Sequence, residues 1–285
     1  MHALRIATCR PLPEPDADEE LLLAALAGRG VRARMADWND PREDWDVAVP
    51  TIVRSTWDYP QRPDAFVAWI ERAARAAPLW NPPAVLRWNV NKLYLRELEE
   101  RGFPIVPTAF LERGRRIRLA ELLPRHGWSD AVVKPAVSAA SFRTLRVRAG
   151  VQGELERGEA HLAALLAERD VLVQRYAPAV GTSGERALVW IDGELTHCVR
   201  KSARFTGQEE SVSGALTPAD DEREVALAML EPFRGELLYA RVDLVRDERG
   251  APRLMELELI EPSLFLVQHP PALERLVDAL VERLG

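Results

Sequence analysis

Tyr239-Ala240-Arg241-Val242-Asp243-Leu244-Val245 and Leu254-Met255-Glu256-Leu257-Glu258-Leu259-Ile260 both alternate between apolar and polar residues, with a turn-forming stretch from Asp247 to Pro252 between them. Side chains two apart on a strand share a face, so Arg241 joins Asp243 and Glu256 joins Glu258. The spacing predicts an antiparallel hairpin. If Asp243 faces Glu256, then Arg241 faces Glu258, and three carboxylates meet one guanidinium on a single patch. Hard oxygen donors of this kind suit Mg²⁺, which keeps several waters and shares its sphere with substrate phosphates. The competing reading is the solvated face of an amphipathic strand.

Lysine usage bears on that choice. Lysine and arginine together number 38, yet the only lysines are Lys92, Lys134 and Lys201. An ammonium and a planar guanidinium are not interchangeable, so the surviving lysines mark positions where a compact cation works better, unless they survive by chance. Lys92 is expected in the first turn of a helix over Leu93 to Arg101, with Asn89 and Asn91 as candidate caps. The helix dipole opposes a cation there, but a cation beside free backbone N–H groups makes an anion site. Lys134 stands in the apolar strand Val132-Val133-Lys134-Pro135, where a lone ammonium needs a partner. The loop Ala136 to Ser141 follows, and its small side chains, Ser138 and Ser141 among them, let backbone amides approach phosphate oxygens. Without a glycine it reads equally as a plain hairpin turn. Lys201 follows Arg200 at a strand end, a basic pair of the kind usually left in solvent.

Working outward, the first ~90 residues alternate strand and helix signals, as in a small parallel sheet flanked by helices. Leu4 to Thr8, Val31 to Met35 and Val47 to Val53 read as strands, the last interrupted by Pro50. Asp16 and Glu19 have the form of a capping box. Pro63 opens a helix whose Phe66, Trp69, Ile70, Ala73 and Ala74 form an apolar stripe. Leu79 to Trp88, crowded with tryptophan and proline, reads as a connection. Beyond it, Ala131 to Lys134, Thr144 to Arg148, Val171 to Tyr176, Arg186 to Ile191 and Thr196 to Arg200 read as strands, with helices over Glu159 to Glu168, Asp221 to Leu230 and from Ala272. Asp192-Gly193 forms a hairpin turn, and Ser202 to Thr217 a polar loop.

Composition excludes several classes. With 285 residues the chain has room for one large or two modest domains. A net charge of −6 argues against a nucleic-acid binder that works by bulk positive field. Cys9 and Cys198 cannot build a disulfide framework or a cysteine-rich zinc site, and the five histidines show no ligand spacing. No apolar stretch approaches a membrane span, and Met1 to Arg5 lacks a signal-peptide pattern, so a cytoplasmic location is expected. No P-loop, dinucleotide fingerprint or Gly-x-Ser-x-Gly elbow appears.

Taken in order, Asn91-Lys92, Val133-Lys134-Pro135, Leu172 to Tyr176, Gly184-Glu185-Arg186, Arg200-Lys201, Arg241-Val242-Asp243 and Glu256-Leu257-Glu258 resemble an ATP-grasp enzyme over nearly the whole chain. The resemblance implies a mixed α/β and α+β architecture: a small Rossmann-like (pre-ATP-grasp) domain over 1–88, then two lobes clasping ATP, over 89–177 and 178–285. It implies that Lys92 and Lys134 bind ATP phosphates beside Ser138 and Ser141, and that Gln174, Arg175, Tyr176 and Ala177 form the hinge that meets adenine. It further implies that Glu185 holds the ribose and that Asp243, Glu256 and Glu258 hold two Mg²⁺ ions, with Mn²⁺ as a substitute. Arg200, Lys201 and Arg241 are the implied catalytic cations around the transferring phosphoryl group. Two features depart from the family pattern: Val137 to Ser141 replaces the usual glycine-rich loop, and Glu258 stands where the family's Glu-x-Asn motif has asparagine.

At finer grain the chain is similar to the glutathione-synthetase and RimK-like branch. The phrases Arg54-Ser55-Thr56-Trp57-Asp58-Tyr59 and Met255 to Ser263 resemble the O-ureido-serine cyclo-ligase subfamily, which closes the cycloserine ring. Arg54, Ser55, Asp58, Arg186, Glu261 and Ser263 are therefore candidate substrate contacts, although Ser55 and Asp58 serve equally well as structural caps. The implied chemistry is carboxylate–amine ligation, or cyclisation, through an acyl phosphate on a small amino-acid-like substrate. Ser202 to Thr217 is a candidate lid. No nucleic-acid or membrane partner is expected, and a homodimer is common among such enzymes. Two other readings stay open: a ligase that extends a peptide or protein with amino acids, and a catalytically idle nucleotide-binding module that regulates a partner.

Overall fold

The short apolar runs of the first 80 residues pair as parallel strands because each returns to the same end of the sheet through a crossover. The computed structural model describes residues 2–202 and 211–285. Strands β1 (Ala3–Thr8), β2 (Arg32–Asp37), β3 (Thr51–Val53) and β4 (Leu79–Trp80) lie in the order β2-β1-β3-β4. Helices α1 (Glu19–Gly28) and α2 (Pro63–Ala76) make two of the crossovers. Pro63 opens α2 as expected, and Phe66, Trp69, Ile70 and Ala73 are its buried stripe.

Several sequence expectations are corrected here. Leu79 to Trp88 is not a bare connection. It supplies β4 and the start of α3 (Pro83–Val90), because a proline at the first helical position gives up an N–H that has no partner anyway. The expected boundary after residue 88 falls inside that helix. The capping box at Asp16 does not form. Asp18 occupies the N-cap of α1, and its carboxylate accepts instead from the Leu266 N–H, 2.9 Å away. The strand expected from Val47 contracts to β3, since Pro50 cannot donate to a ladder and Val47 is exposed.

Helix α4 (Tyr94–Glu100) begins two residues after Lys92, so the lysine is not in its first turn. Asn91 accepts from the Leu93 N–H, whereas Asn89 caps no helix. The second sheet is antiparallel, ordered β5-β8-β6-β7, from β5 (Thr108–Leu111), β6 (Asp130–Pro135), β7 (Leu145–Arg148) and β8 (Val171–Arg175). It is covered by α5 (Leu119–Arg125) and α6 (Glu154–Glu168). Neither β5 nor α5 was expected, and the internal Pro124 of α5 hides its helical period. Helix α6 starts at Glu154, five residues before the expected Glu159. Gly158 brings it close to the sheet, where a Cβ would meet Val147 at 2.7 Å.

The third sheet is ordered β10-β9-β11-β12, from β9 (Glu185–Ile191), β10 (Glu194–Lys201), β11 (Tyr239–Arg246) and β12 (Pro252–Glu258). Helix α7 (Asp220–Leu230) packs on one face and α8 (Pro270–Leu284) on the other. The α8 core reaches Leu4, Ile6 and Ile52, so the first and third sheets share one apolar interior. Residues 203–210 of the expected lid lie outside the described residues. Ser211 to Leu216 runs beside β10, with Ser213 N–H donating to Arg200 and Leu216 N–H to Cys198 at 3.0 and 2.8 Å.

Candidate active site

The β11–β12 hairpin forms in the expected register. Asp243 pairs with Glu256 and Arg241 with Glu258, with a bulge between Asp243 and Leu244. As the last strand of its sheet, β12 exposes backbone groups that need partners. Side chains supply them: the Asn89 amide donates to Leu257 O (2.9 Å) and accepts from Leu259 N–H (2.8 Å). Tyr94 Oη exchanges hydrogen bonds with the Leu257 backbone, and Asn81 donates to Leu259 O at 2.8 Å. These contacts fix the strand that carries the two glutamates.

All three lysines converge on this hairpin. Lys92 Nζ lies 3.0 Å from Glu256 and donates to the Ser138 carbonyl. Lys201 Nζ lies 2.5 Å from Glu185 and 2.7 Å from Asp243. Lys134 Nζ donates to Gln174 Oε1 at 3.3 Å, and that amide is held in turn by donating to Thr108. Arg241 grips Asp243 through two bonds of 2.8 Å, reaches Glu258, and donates to Ser263 O at 3.2 Å. The cleft these groups line measures about 1280 Å³, part of it open to solvent.

Burial sets the electrostatics and the ion pairs modify it. Burial pushes the Asp243 carboxyl up, but Arg241 and Lys201 override it and hold the group well below the usual carboxylate range. Glu256 is likewise held low by Lys92 and Lys134 against the cost of burial. Burial wins at Glu185 and Glu258, raising both despite Lys201 and Arg241. Glu261 is pushed up to about 8 by burial, with Glu258 adding to the effect. Lys134 is lowered by burial, partly offset by Glu256.

Around these charges the cleft is completed by Ser138 and Ser141, by Gln174 to Ala177, and by Glu261 and Ser263. The loop after β6 achieves a glycine-like path without glycine: Ala140, Ser141 and Arg143 have φ of 46°, 57° and 51°. That region is costly for side-chain-bearing residues, so the turn is not a plain hairpin. The Tyr176 ring lies under Arg146, whose guanidinium carbon is 3.5 Å from its centroid.

Other expected site residues lie elsewhere. Arg200 is exposed on the opposite side of β10 from Lys201, because neighbours on a strand face opposite ways, so it does not join Lys201 and Arg241. Arg186 is turned away from Glu185 for the same reason and donates to Thr217 O and Cys198. Arg54, only 3% exposed, donates to Pro262 O at 2.8 Å and does not line the cleft. Ser55 bonds Thr8 Oγ1 (2.8 Å), and Asp58 accepts from Trp38 Nε1 (2.6 Å). None of the three is among the residues that line the cleft. Trp57, Glu14 and Met255 do line the cleft and were missed. Trp57 stands within the Arg54–Tyr59 phrase, so the phrase does contribute a residue to the cleft lining.

Oxygen-rich chemistry at the hairpin fits a magnesium ion. Asp243, Glu256 and Glu258 all border the cleft. Among the described residues no three acidic, histidine or cysteine side chains close into a cage by themselves, since each of these carboxylates is drawn onto a cation. An ion there would rely on phosphate oxygens and water for the rest of its sphere, as is usual for Mg²⁺.

Residues 4–81 match the family model described as the N-terminal domain of D-cycloserine synthetase DcsG. The chain is 32% identical over 285 residues to the cycloserine biosynthesis protein DcsG of Streptomyces lavendulae, covering 94% of each. The crystal structure of D-cycloserine synthetase DcsG superposes with a TM-score of 0.87 at 31% identity, over 99% of this chain and 100% of that one. Two more distant structures share the fold. One is D-alanine–D-alanine ligase from Bacillus anthracis complexed with ATP, with a TM-score of 0.67 and 14% identity over 100% of this chain and 97% of that one. The other is the ATP-grasp ligase PsnB complexed with a phosphomimetic precursor variant, Mg and ADP, with a TM-score of 0.65 and 16% identity over 100% and 99%. The chain has the ATP-grasp fold and belongs to the DcsG family of ATP-dependent ligases.

Proposed function

We propose that this chain activates the carboxylate of a small amino-acid-like substrate with ATP and then closes it into a ring, with O-ureido-serine as the substrate. The observation that carries this reading is the convergence of Lys92, Lys134, Lys201 and Arg241 with Asp243, Glu256 and Glu258 around one cleft in a chain of this family. The substrate carboxylate attacks the γ-phosphorus and ADP leaves. An N–H nitrogen of the same molecule then attacks the acyl carbon and releases phosphate.

Phosphoryl transfer of this kind depends on positioning and charge neutralisation, so in this reading the cations and carboxylates of the cleft carry the reaction and no protein nucleophile takes part. Lys92 and Lys134 are assigned to the phosphates, and Gln174 to Ala177 to the adenine. The Gln174 side chain orients Lys134, while Glu185 orients Lys201 beside the ribose. Arg241 and Lys201 neutralise the transferring group. Asp243, Glu256 and Glu258 would hold Mg²⁺, which supplies charge neutralisation to the phosphate oxygens when bound. A cytoplasmic reaction, where ATP is available, is part of this proposal. No described helix is long and apolar enough to cross a membrane.

ADP release with O-ureido-serine, with pooled amino acids and with peptides tests the reading, with mass spectrometry of the product. Stimulation by O-ureido-serine with a cyclic product is expected, and Asp243→Asn should abolish turnover. Stimulation by a peptide alone would replace it with tail extension. Tight ATP binding without any stimulation would make the chain a regulatory nucleotide-binding module.

A further inference from the structure

Four carboxylates bordering the cleft have a cation: Glu185 and Asp243 meet Lys201, Glu256 meets Lys92, and Glu258 meets Arg241. Glu261 is the exception. It is 7% exposed and lines the same cleft, yet no described cation lies within ion-pair distance of its carboxylate, whose hydrogen bond is to its own backbone N–H. A buried carboxylate of this sort needs a cationic or hydrogen-bonding partner.

Its position is also built. Three successive backbone carbonyls are each held by a side chain from elsewhere: Glu261 O accepts from Trp57 Nε1 (3.1 Å), Pro262 O from Arg54 Nη1 (2.8 Å) and Ser263 O from Arg241 Nη1 (3.2 Å). Arg54 and Trp57 follow β3 of the first sheet, whereas Glu261 follows β12 of the third. The two domains thus clamp the turn that carries this one unmatched acid. Arg241, anchored to the same turn, is the adjacent cation that can face a substrate carboxylate.

We infer that Glu261 receives the α-ammonium group of the substrate, so that the cleft reads a zwitterionic amino acid by its cation as well as by its carboxylate. This rests on the proposed ligase reading and deepens it by naming the residue that meets the substrate's α-ammonium group. Glu261 is a specificity determinant, and Arg54 and Trp57 are positioning residues that hold its turn.

The experiment compares wild type with Glu261→Gln, using O-ureido-serine and its desamino analogue, 3-(ureidooxy)propanoic acid. The readouts are KM from ADP release, the inhibition constant of the analogue, the Mg²⁺ concentration for half-maximal rate, and the thermal midpoint. In the variant, KM for the amino compound should rise about 10- to 100-fold, the loss of one charge-assisted contact. The constant for the desamino compound and the Mg²⁺ requirement should stay within about twofold, on the same physical ground that neither group meets Glu261. An equal loss for both compounds overturns the assignment in favour of a structural role. A raised Mg²⁺ requirement overturns it in favour of a metal-binding carboxylate. If wild type releases no ADP with either compound, the substrate reading itself fails and takes the ammonium site with it, whatever the variant does.

Discussion

Lys201→Met removes the ammonium that joins Glu185 to Asp243 and keeps most of the apolar stem. Its Nζ stands 2.5 Å from one carboxylate and 2.7 Å from the other, and its side chain is 9% exposed. At an effective dielectric near 20, each unit-charge pair at such a separation is worth roughly 6 kcal/mol before desolvation is counted. Most of that is offset by the cost of burying the ions, so the measured loss should be about 3–5 kcal/mol, as when one partner of a buried pair is deleted. Asp243 retains Arg241, and the penalty falls mainly on Glu185.

The pH dependence follows from the sign of that group's shift. Glu185 is raised above its ordinary 4.5 by burial, and losing Lys201 removes the opposing attraction. A carboxyl raised on folding binds more protons folded than unfolded, so the stability it contributes is present at low pH and lost as pH rises through the folded-state value. The deficit of the variant should therefore be small near pH 5 and largest near pH 8, both conditions being set relative to the ordinary carboxylate range. Urea unfolding followed by tryptophan fluorescence, at both pH values, measures it. Adding Glu185→Gln to Lys201→Met should recover at least about 1 kcal/mol at the higher pH, since the two residues are in contact. A loss below about 1 kcal/mol at high pH would mean the bridge is no stronger than an exposed one. A deficit that is independent of pH and not recovered in the double variant would equally refute the reasoning.

Asn89→Leu should destabilise the chain by about 1–3 kcal/mol, because it orphans the Leu259 N–H and leaves Leu257 O with Tyr94 Oη alone of its two side-chain donors; urea unfolding checks this, and a change under about 0.5 kcal/mol contradicts the account of β12. Gly184→Ala places a Cβ 2.7 Å from Lys201 O at a residue with φ of 78°, so it should lower both the thermal midpoint and turnover, as read by calorimetry and ADP release. Burial lowers His197 from 6.5 to about 4, with the neighbouring His269 adding to the effect. The unfolded chain then binds the extra proton between those values, and stability should fall as pH drops through that window. His197→Phe should flatten this part of the stability–pH curve.

The hairpin register was legible in the sequence because a period of two leaves one choice once a single facing pair is set. The observed pairs Asp243–Glu256 and Arg241–Glu258 follow that rule. The same period also separates Lys201 from Arg200 and Glu185 from Arg186, but choosing which member faces inward requires knowing which side of the sheet the nucleotide-sized cleft occupies. That is a property of how the second and third sheets oppose one another, and it reversed the expectation for Arg200 and Arg186. Local pattern likewise did not reveal the intrachain partners of Arg54, Ser55 and Asp58: a polar cluster at a strand end reads the same whether it meets a ligand or another part of the chain.

Chain order, the three lysines and the alternating carboxylates thus determined the family resemblance and most of the charged groups in the cleft, because those signals are carried by residue type and short spacing. Tertiary structure alone decided which polar groups were already satisfied. Asn89 was spent on an edge strand 168 residues away, and Arg54 on a turn 208 residues away. Glu261 was left facing the cleft without a cation. Partnership of that kind depends on packing between distant segments, which short-range pattern does not encode.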